Sequence, residues 1–121
     1  MSPSELQAAV RERDGVAVVD LMGDVNASAE AALKDAYAQA SASRPGSVVL
    51  NFERVGYINS TGIALIVGLL AQARTQGTEV KAFGLSDHYR EIFEITRLAD
   101  FMTITDNEER AVSGVTGRTD G

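Results

Sequence analysis

The chain reads as a single α/β domain built on a mixed, mostly parallel sheet of about five strands with four helices, in the order β-β-α-β-α-β-α-β-α. Three observations predict this. Short β-branched runs alternate with segments whose apolar residues recur at helical spacing. The length, 121 residues, suits one domain with a sizeable core. An Asp14-Gly15 turn joins the first two runs directly, so that pair is antiparallel. The later runs are separated by helices and therefore run parallel through right-handed crossovers.

Leu6 to Arg13 alternates weakly and reads as an edge strand. Val16 to Leu21 is a central strand, broken at Gly23-Asp24-Val25-Asn26. Asn26 is a good N-cap for a helix with apolar positions Ala29, Ala32, Leu33, Ala36, Tyr37 and Ala40. Glu30 and Lys34 pair on its wet side, and Arg44-Pro45-Gly46 ends it. Val48 to Phe52 is a short, mostly buried strand, followed by a loop. Ser60 to Gln76 is the second helix, stopped by Gly77. Thr78 to Phe83 is a strand, and Gly84 turns the chain. Ser86 or Asp87 caps a third helix to about Leu98, with Tyr89, Ile92, Phe93 and Thr96 on its apolar face. Phe101 to Thr105 is the last strand, and a turn or two of helix covers Asp106 to Val112. The domain spans residues 1–113, and the glycine- and polar-rich residues 114–121 are expected to form a disordered tail.

Composition removes several function classes. There is no cysteine, so disulfides, thiolate catalysis and cysteine-held metals are excluded. A single histidine, His88, argues against a histidine metal centre or a His-containing triad. The net charge of -6 argues against nucleic-acid binding by phosphate neutralisation. No apolar run approaches the roughly 20 residues of a membrane span, and the first residues lack a signal core. The expectation is a cytoplasmic protein with no cofactor and no metal. The triplets Asn26-Ala27-Ser28 and Asn59-Ser60-Thr61 are then chance matches to a glycosylation motif.

The most informative stretch is Asn59-Ser60-Thr61-Gly62, between a β-branched run and the apolar run Ile63 to Ala71. It puts two hydroxyls at a helix N-terminus, where unpaired N–H groups and the dipole favour an anion. A serine at a helix start usually serves as the cap. Asn59 can cap instead, and Ser60 is then free to point outward. The helix itself is apolar on nearly every side, which predicts burial. Its stripe of small residues, Thr61, Ala64 and Gly68, reads first as close packing on the sheet and second as a surface for a partner backbone. His88 reads as a surface group. Asp20 and Asp24 raise the possibility of an acidic metal pocket and a receiver-type phosphorelay domain. The third strand, however, ends in Asn51-Phe52-Glu53, and Lys81 lies inside its strand, which does not fit a receiver.

Two motifs carry a resemblance. Gly56-Tyr57-Ile58-Asn59-Ser60-Thr61-Gly62-Ile63-Ala64-Leu65-Ile66 resembles the signature of STAS domains of the bacterial anti-sigma factor antagonist type. Leu21-Met22-Gly23-Asp24-Val25-Asn26 resembles the same family's turn before the first helix. The inferred element order agrees over roughly residues 5–112. The resemblance implies a STAS-like fold and a protein-binding regulator rather than an enzyme. It implies a partner that is both anti-sigma factor and serine kinase, a phosphoacceptor at Ser60 (Thr61 second), and a phosphatase for reset. The implied partner-binding residues are Asp24, Asn26, Asn59, Ser60, Thr61, Gly62 and Ala64, in a monomer that forms hetero-complexes. Asn59 and Asn26 stand where the family has Asp, which removes negative charge beside the hydroxyl but keeps the capping oxygen. The alternative is a STAS scaffold without a phosphoswitch, such as an accessory subunit of a transporter or a signalling assembly. A small enzyme is disfavoured, because no nucleophile–base pair or glycine-rich phosphate loop is present.

Overall fold

The structure, a computed structural model, describes residues 5–42 and 45–117. Five strands form one sheet in sequence order: β1 (Gln7–Arg13), β2 (Val16–Val25), β3 (Ser47–Ile58), β4 (Glu79–Phe83) and β5 (Thr103–Thr105). β1 pairs antiparallel with β2, and the other pairings are parallel. The hairpin turns through Asp14 (φ 53) and Gly15 (φ 80), the two positive φ values that a two-residue turn needs to follow strand twist. Helices α1 (Glu30–Ser41), α2 (Ser60–Thr75) and α3 (Asp87–Ile95) are the crossovers, and α4 (Glu108–Gly117) closes the chain. Strands laid down side by side through crossovers of one hand place α1 to α3 on one face.

Alternation along the strands sorts the core into two layers. Ala17, Val19, Leu21, Val48, Leu50, Phe52, Val80 and Ala82 pack under the three crossover helices. Val16, Val18, Val49 and Phe83 point the other way, onto Ala111 and Val112 of α4. Each fully buried aliphatic side chain stabilises the fold by roughly 1.5–3 kcal/mol. Phe52 and Phe93 meet edge to face at 5.9 Å and join sheet to α3.

Several boundaries differ from the sequence reading. β2 does not break at Gly23 but continues through Val25, with register shifts at Asp20/Met22 and Gly23/Asp24 and Gly23 at φ 113. β3 continues through the expected loop to Ile58. β4 leaves β3 at Asn51, so beyond that point β3 pairs with β2 alone. This two-stranded arm is wet on much of its surface, and its exposed Glu53, Arg54 and Tyr57 disguise it as a loop. α1 ends at Ser41, and the expected stop at Arg44 lies partly outside the described residues. α3 stops at Ile95; Arg97 at φ 69 starts a separate 3-10 turn, Leu98–Asp100. Thr96 is exposed rather than apolar-facing, and Tyr89 and Ile92 are only half-buried. Phe101 precedes β5 and is exposed. α4 is longer than the expected turn or two, and residues 118–121 of the expected tail lie outside the described residues.

α2 is the largest departure. Only Gly62, Ile66, Leu69, Leu70 and Ala73 are buried, so one side faces solvent. Thr61, Ala64 and Gly68 lie on that side, and a Cβ at Gly68 would touch nothing. The small-residue stripe is therefore not packed on the sheet. One sheet face can cover only one side of a helix, and among the described residues no second layer covers the other.

Candidate functional site

The tip of the β2–β3 arm and the start of α2 build one site. β2 hands Val25 to the junction, where the Val25 carbonyl accepts the Asn59 N–H at 3.2 Å. Asn59 is the N-cap of α2: its Oδ1 accepts the Gly62 N–H at 2.8 Å. A Cβ on Gly62 would drive into the Val25 carbonyl, so only glycine lets α2 start this close to β2. Asn26 follows Val25 and caps its own short turn, Ala27–Ala29, by accepting from the Ser28 N–H at 3.0 Å and the Ser28 hydroxyl at 2.7 Å. Asp24 sits half-buried on the arm, pairs in register with Tyr57 and lies against Gly56. On the other side, Tyr89 of α3 holds the end of β3 by accepting the Ile58 N–H at 3.0 Å.

Because Asn59 takes the capping role, Ser60 is released from it. Ser60 and Thr61 are exposed, and among the described residues nothing hydrogen-bonds to either hydroxyl. The first turn of α2 contains no acidic residue of its own to offset the positive end of the helix dipole. Asp24, Asn26, Asn59, Ser60, Thr61 and Gly62 thus gather at one end of the sheet, and Ala64 extends the exposed face one turn along α2.

A STAS domain model matches residues 7–111. The chain belongs to the STAS domain family. It is 37% identical over 62 residues to the anti-sigma-B factor antagonist of Staphylococcus aureus, a match covering 51% of this chain and 57% of that protein. The match thus spans little more than half the length of that relative. A second relative, the anti-sigma-B factor antagonist of Listeria monocytogenes, is 29% identical over 82% of this chain and 88% of its own length. The fold is similar to the crystal structure of an anti-sigma factor antagonist from Mycobacterium paratuberculosis, with a TM-score of 0.76, 22% identity, and coverage of 95% and 97% of the two chains.

On this STAS scaffold several of the remaining charged residues have structural partners. Asp20 belongs to no acidic pocket. It accepts from Arg11 at 2.7 Å and from Asn51 at 2.8 Å, and these contacts hold its carboxyl below the ordinary range. Glu108 of α4 accepts from Arg11 and Arg13, each at 2.7 Å, and these bonds hold its carboxyl down to about 2. The network ties β1, β2 and α4 together; sequence reading missed it because Arg11 and Glu108 lie far apart in the chain. Lys81 is buried on the α4 face and donates to the Ala111 carbonyl at 3.1 Å. His88 is exposed at the start of α3, stacked edgewise on Tyr89. Among the described residues no group of three or more His, Cys, Asp and Glu is placed to hold a metal ion, and no helix is long and apolar enough to cross a membrane.

The sequence reading also missed the reach of the exposed α2 face. Ser60, Ala64, Val67, Ala71 and Arg74 are all exposed, and their spacing of three or four puts them on one side of the helix. That spacing was visible in the sequence, but the uniform apolarity of the segment concealed which side would be wet.

Proposed function

We propose that this protein is an anti-sigma factor antagonist that acts by binding, without catalysis of its own. Unphosphorylated, it docks on an anti-sigma factor that is also a serine kinase, through a footprint around Asp24, Asn26, Asn59, Ser60, Thr61 and Ala64, with Gly62 buried beneath it. The kinase transfers the terminal phosphoryl group of ATP to the Ser60 oxygen, ADP leaves, and the complex loosens. A phosphatase restores the free hydroxyl. The observation that carries this reading is the exposed, unbonded Ser60 hydroxyl at the start of α2, with Asn59 doing the capping.

The energetics support a switch of binding rather than of folding. A phosphate adds about -1.5 to -2 charge. At a helix N-terminus with no acid in its first turn it is favourable by roughly 0.3–1 kcal/mol. In a docked interface the same dianion must lose its water, and unmatched it costs several kcal/mol. Each 1.4 kcal/mol or so is tenfold in affinity.

The test is incubation with a candidate anti-sigma kinase and ATP, intact mass and peptide mapping, and affinities for wild type, Ser60→Ala and Ser60→Asp. The expected result is one phosphoryl group on Ser60, retained binding by Ser60→Ala, and at least tenfold weaker binding by Ser60→Asp. A folded Ser60→Asp protein that binds as tightly as wild type overturns the reading. The neutral Asn59 beside the hydroxyl favours one second reading, a STAS scaffold that binds and is never phosphorylated. In that case the wild type binds its partner but gains no mass.

A further inference from the structure

The exposed face of α2 leads away from Ser60 into an apolar groove of about 260 Å³ between α2 and the turn after α3. Val67, Leu70 and Ala71 form one wall, and Leu98 and Phe101 the other. Val67 is 47% exposed and Phe101 54%, so two of the five exposed large apolar side chains among the described residues meet here. Among the described residues, the only charged ones lining the groove are Arg74 and Arg97, in a chain of net charge -6. Arg97 is paired with Asp100 at 2.7 Å. Arg74 lies over the Phe101 ring, 5.7 Å from its centroid, and meets no carboxylate among the described residues.

We propose that this groove docks an amphipathic helix of a partner protein, with its apolar side chains between Val67 and Phe101 and a carboxylate against Arg74. The charge pattern selects an acidic occupant, because an unpaired arginine at the end of an apolar trough rewards a carboxylate and repels a cation. The wall selects a helix. The backbone groups of α2 are already paired within it, so an extended segment would find none to bond, whereas a helix brings its own bonds satisfied. Val67 lies about 10 Å along the axis from Ser60, and Ser60, Ala64, Val67 and Ala71 form a continuous exposed row. A partner helix laid on that row would meet the hydroxyl at one end and Arg74 at the other. The inference rests on the reading of this chain as a protein-binding regulator, but not on phosphate at Ser60.

The test is titration of the isotope-labelled full chain by NMR with two synthetic helical peptides. Both carry leucines at i, i+3, i+4 and i+7; one is flanked by Glu, the other by Lys. The expected result is that the Glu peptide shifts the amide signals of Val67, Ala71, Leu98 and Phe101 and binds roughly fivefold more tightly than the Lys peptide. Arg74→Glu reverses that preference, and Val67→Ser weakens both peptides while leaving the thermal melt unchanged. No shifts, shifts confined to the α1–α2 side around Lys34 and Gly68, or self-association of the free chain through Phe101 overturns the proposal. Failure here with an intact Ser60→Asp switch rejects only the groove. Peptide binding without that switch rejects only the phosphorylation reading.

Discussion

Replacing Gly62 or Gly68 by alanine makes the same chemical change in the same helix, and the two are expected to act in opposite directions. At Gly62 the new Cβ would sit 2.7 Å from the Val25 carbonyl carbon and 3.0 Å from Val25 Cγ1. Carbon atoms rest at about 3.5 Å or more, and the Val25 carbonyl oxygen lies nearer still, so α2 and β2 must separate by at least roughly 0.8 Å at backbone that cannot rotate away. Overpacking of this kind costs about 1–3 kcal/mol. Stretching the Asn59 N–H bond to the Val25 carbonyl, already 3.2 Å, adds about 1 kcal/mol, and the better helix propensity of alanine returns about the same. The net loss is about 1–3 kcal/mol. At Gly68 the Cβ meets nothing, so only the propensity remains and stability rises by about 0.5–1 kcal/mol. Urea denaturation reads both. With a slope of about 1.5 kcal/mol/M, the midpoint falls by roughly 0.7–2 M for Gly62→Ala and rises by roughly 0.5 M for Gly68→Ala. A Gly62→Ala protein as stable as wild type, or a destabilised Gly68→Ala, would refute the close approach of α2 to β2 and the solvent exposure of the small-residue stripe.

Asn59→Ala removes the cap of α2 and is expected to cost about 1 kcal/mol, whereas Asn59→Asp keeps the acceptor, adds favourable charge at the dipole and leaves the urea midpoint equal or slightly higher. A drop for Asn59→Asp comparable to that for Asn59→Ala would contradict the capping role. The Glu108 carboxyl is held below its ordinary value by Arg11 and Arg13, so its contribution to stability is complete above about pH 4.5 and is lost as pH falls toward about 2. Asp20, also held down, adds a loss of the same sign. Urea midpoints measured across that window should fall more steeply for wild type than for Glu108→Gln; identical slopes would remove Glu108 from the latch between α4 and the β1–β2 hairpin.

The order of elements, the Asp14-Gly15 hairpin and the placement of Ser60 at a helix start are legible in the chain before any folding is considered. These follow from local chemistry: β-branched runs, positive-φ turn residues and side-chain oxygens beside free N–H groups act within a few residues. Tertiary structure alone decided which side of α2 stays wet, because an apolar helix carries no internal mark of the face that the sheet will cover. It also decided that β2 and β3 run on as a two-stranded arm, since each extends only because the other does. Gly62 shows the division plainly. As a letter in the chain it is a residue after a cap, and only the Val25 carbonyl, brought beside it by the parallel pairing of β2 and β3, makes any larger residue too big.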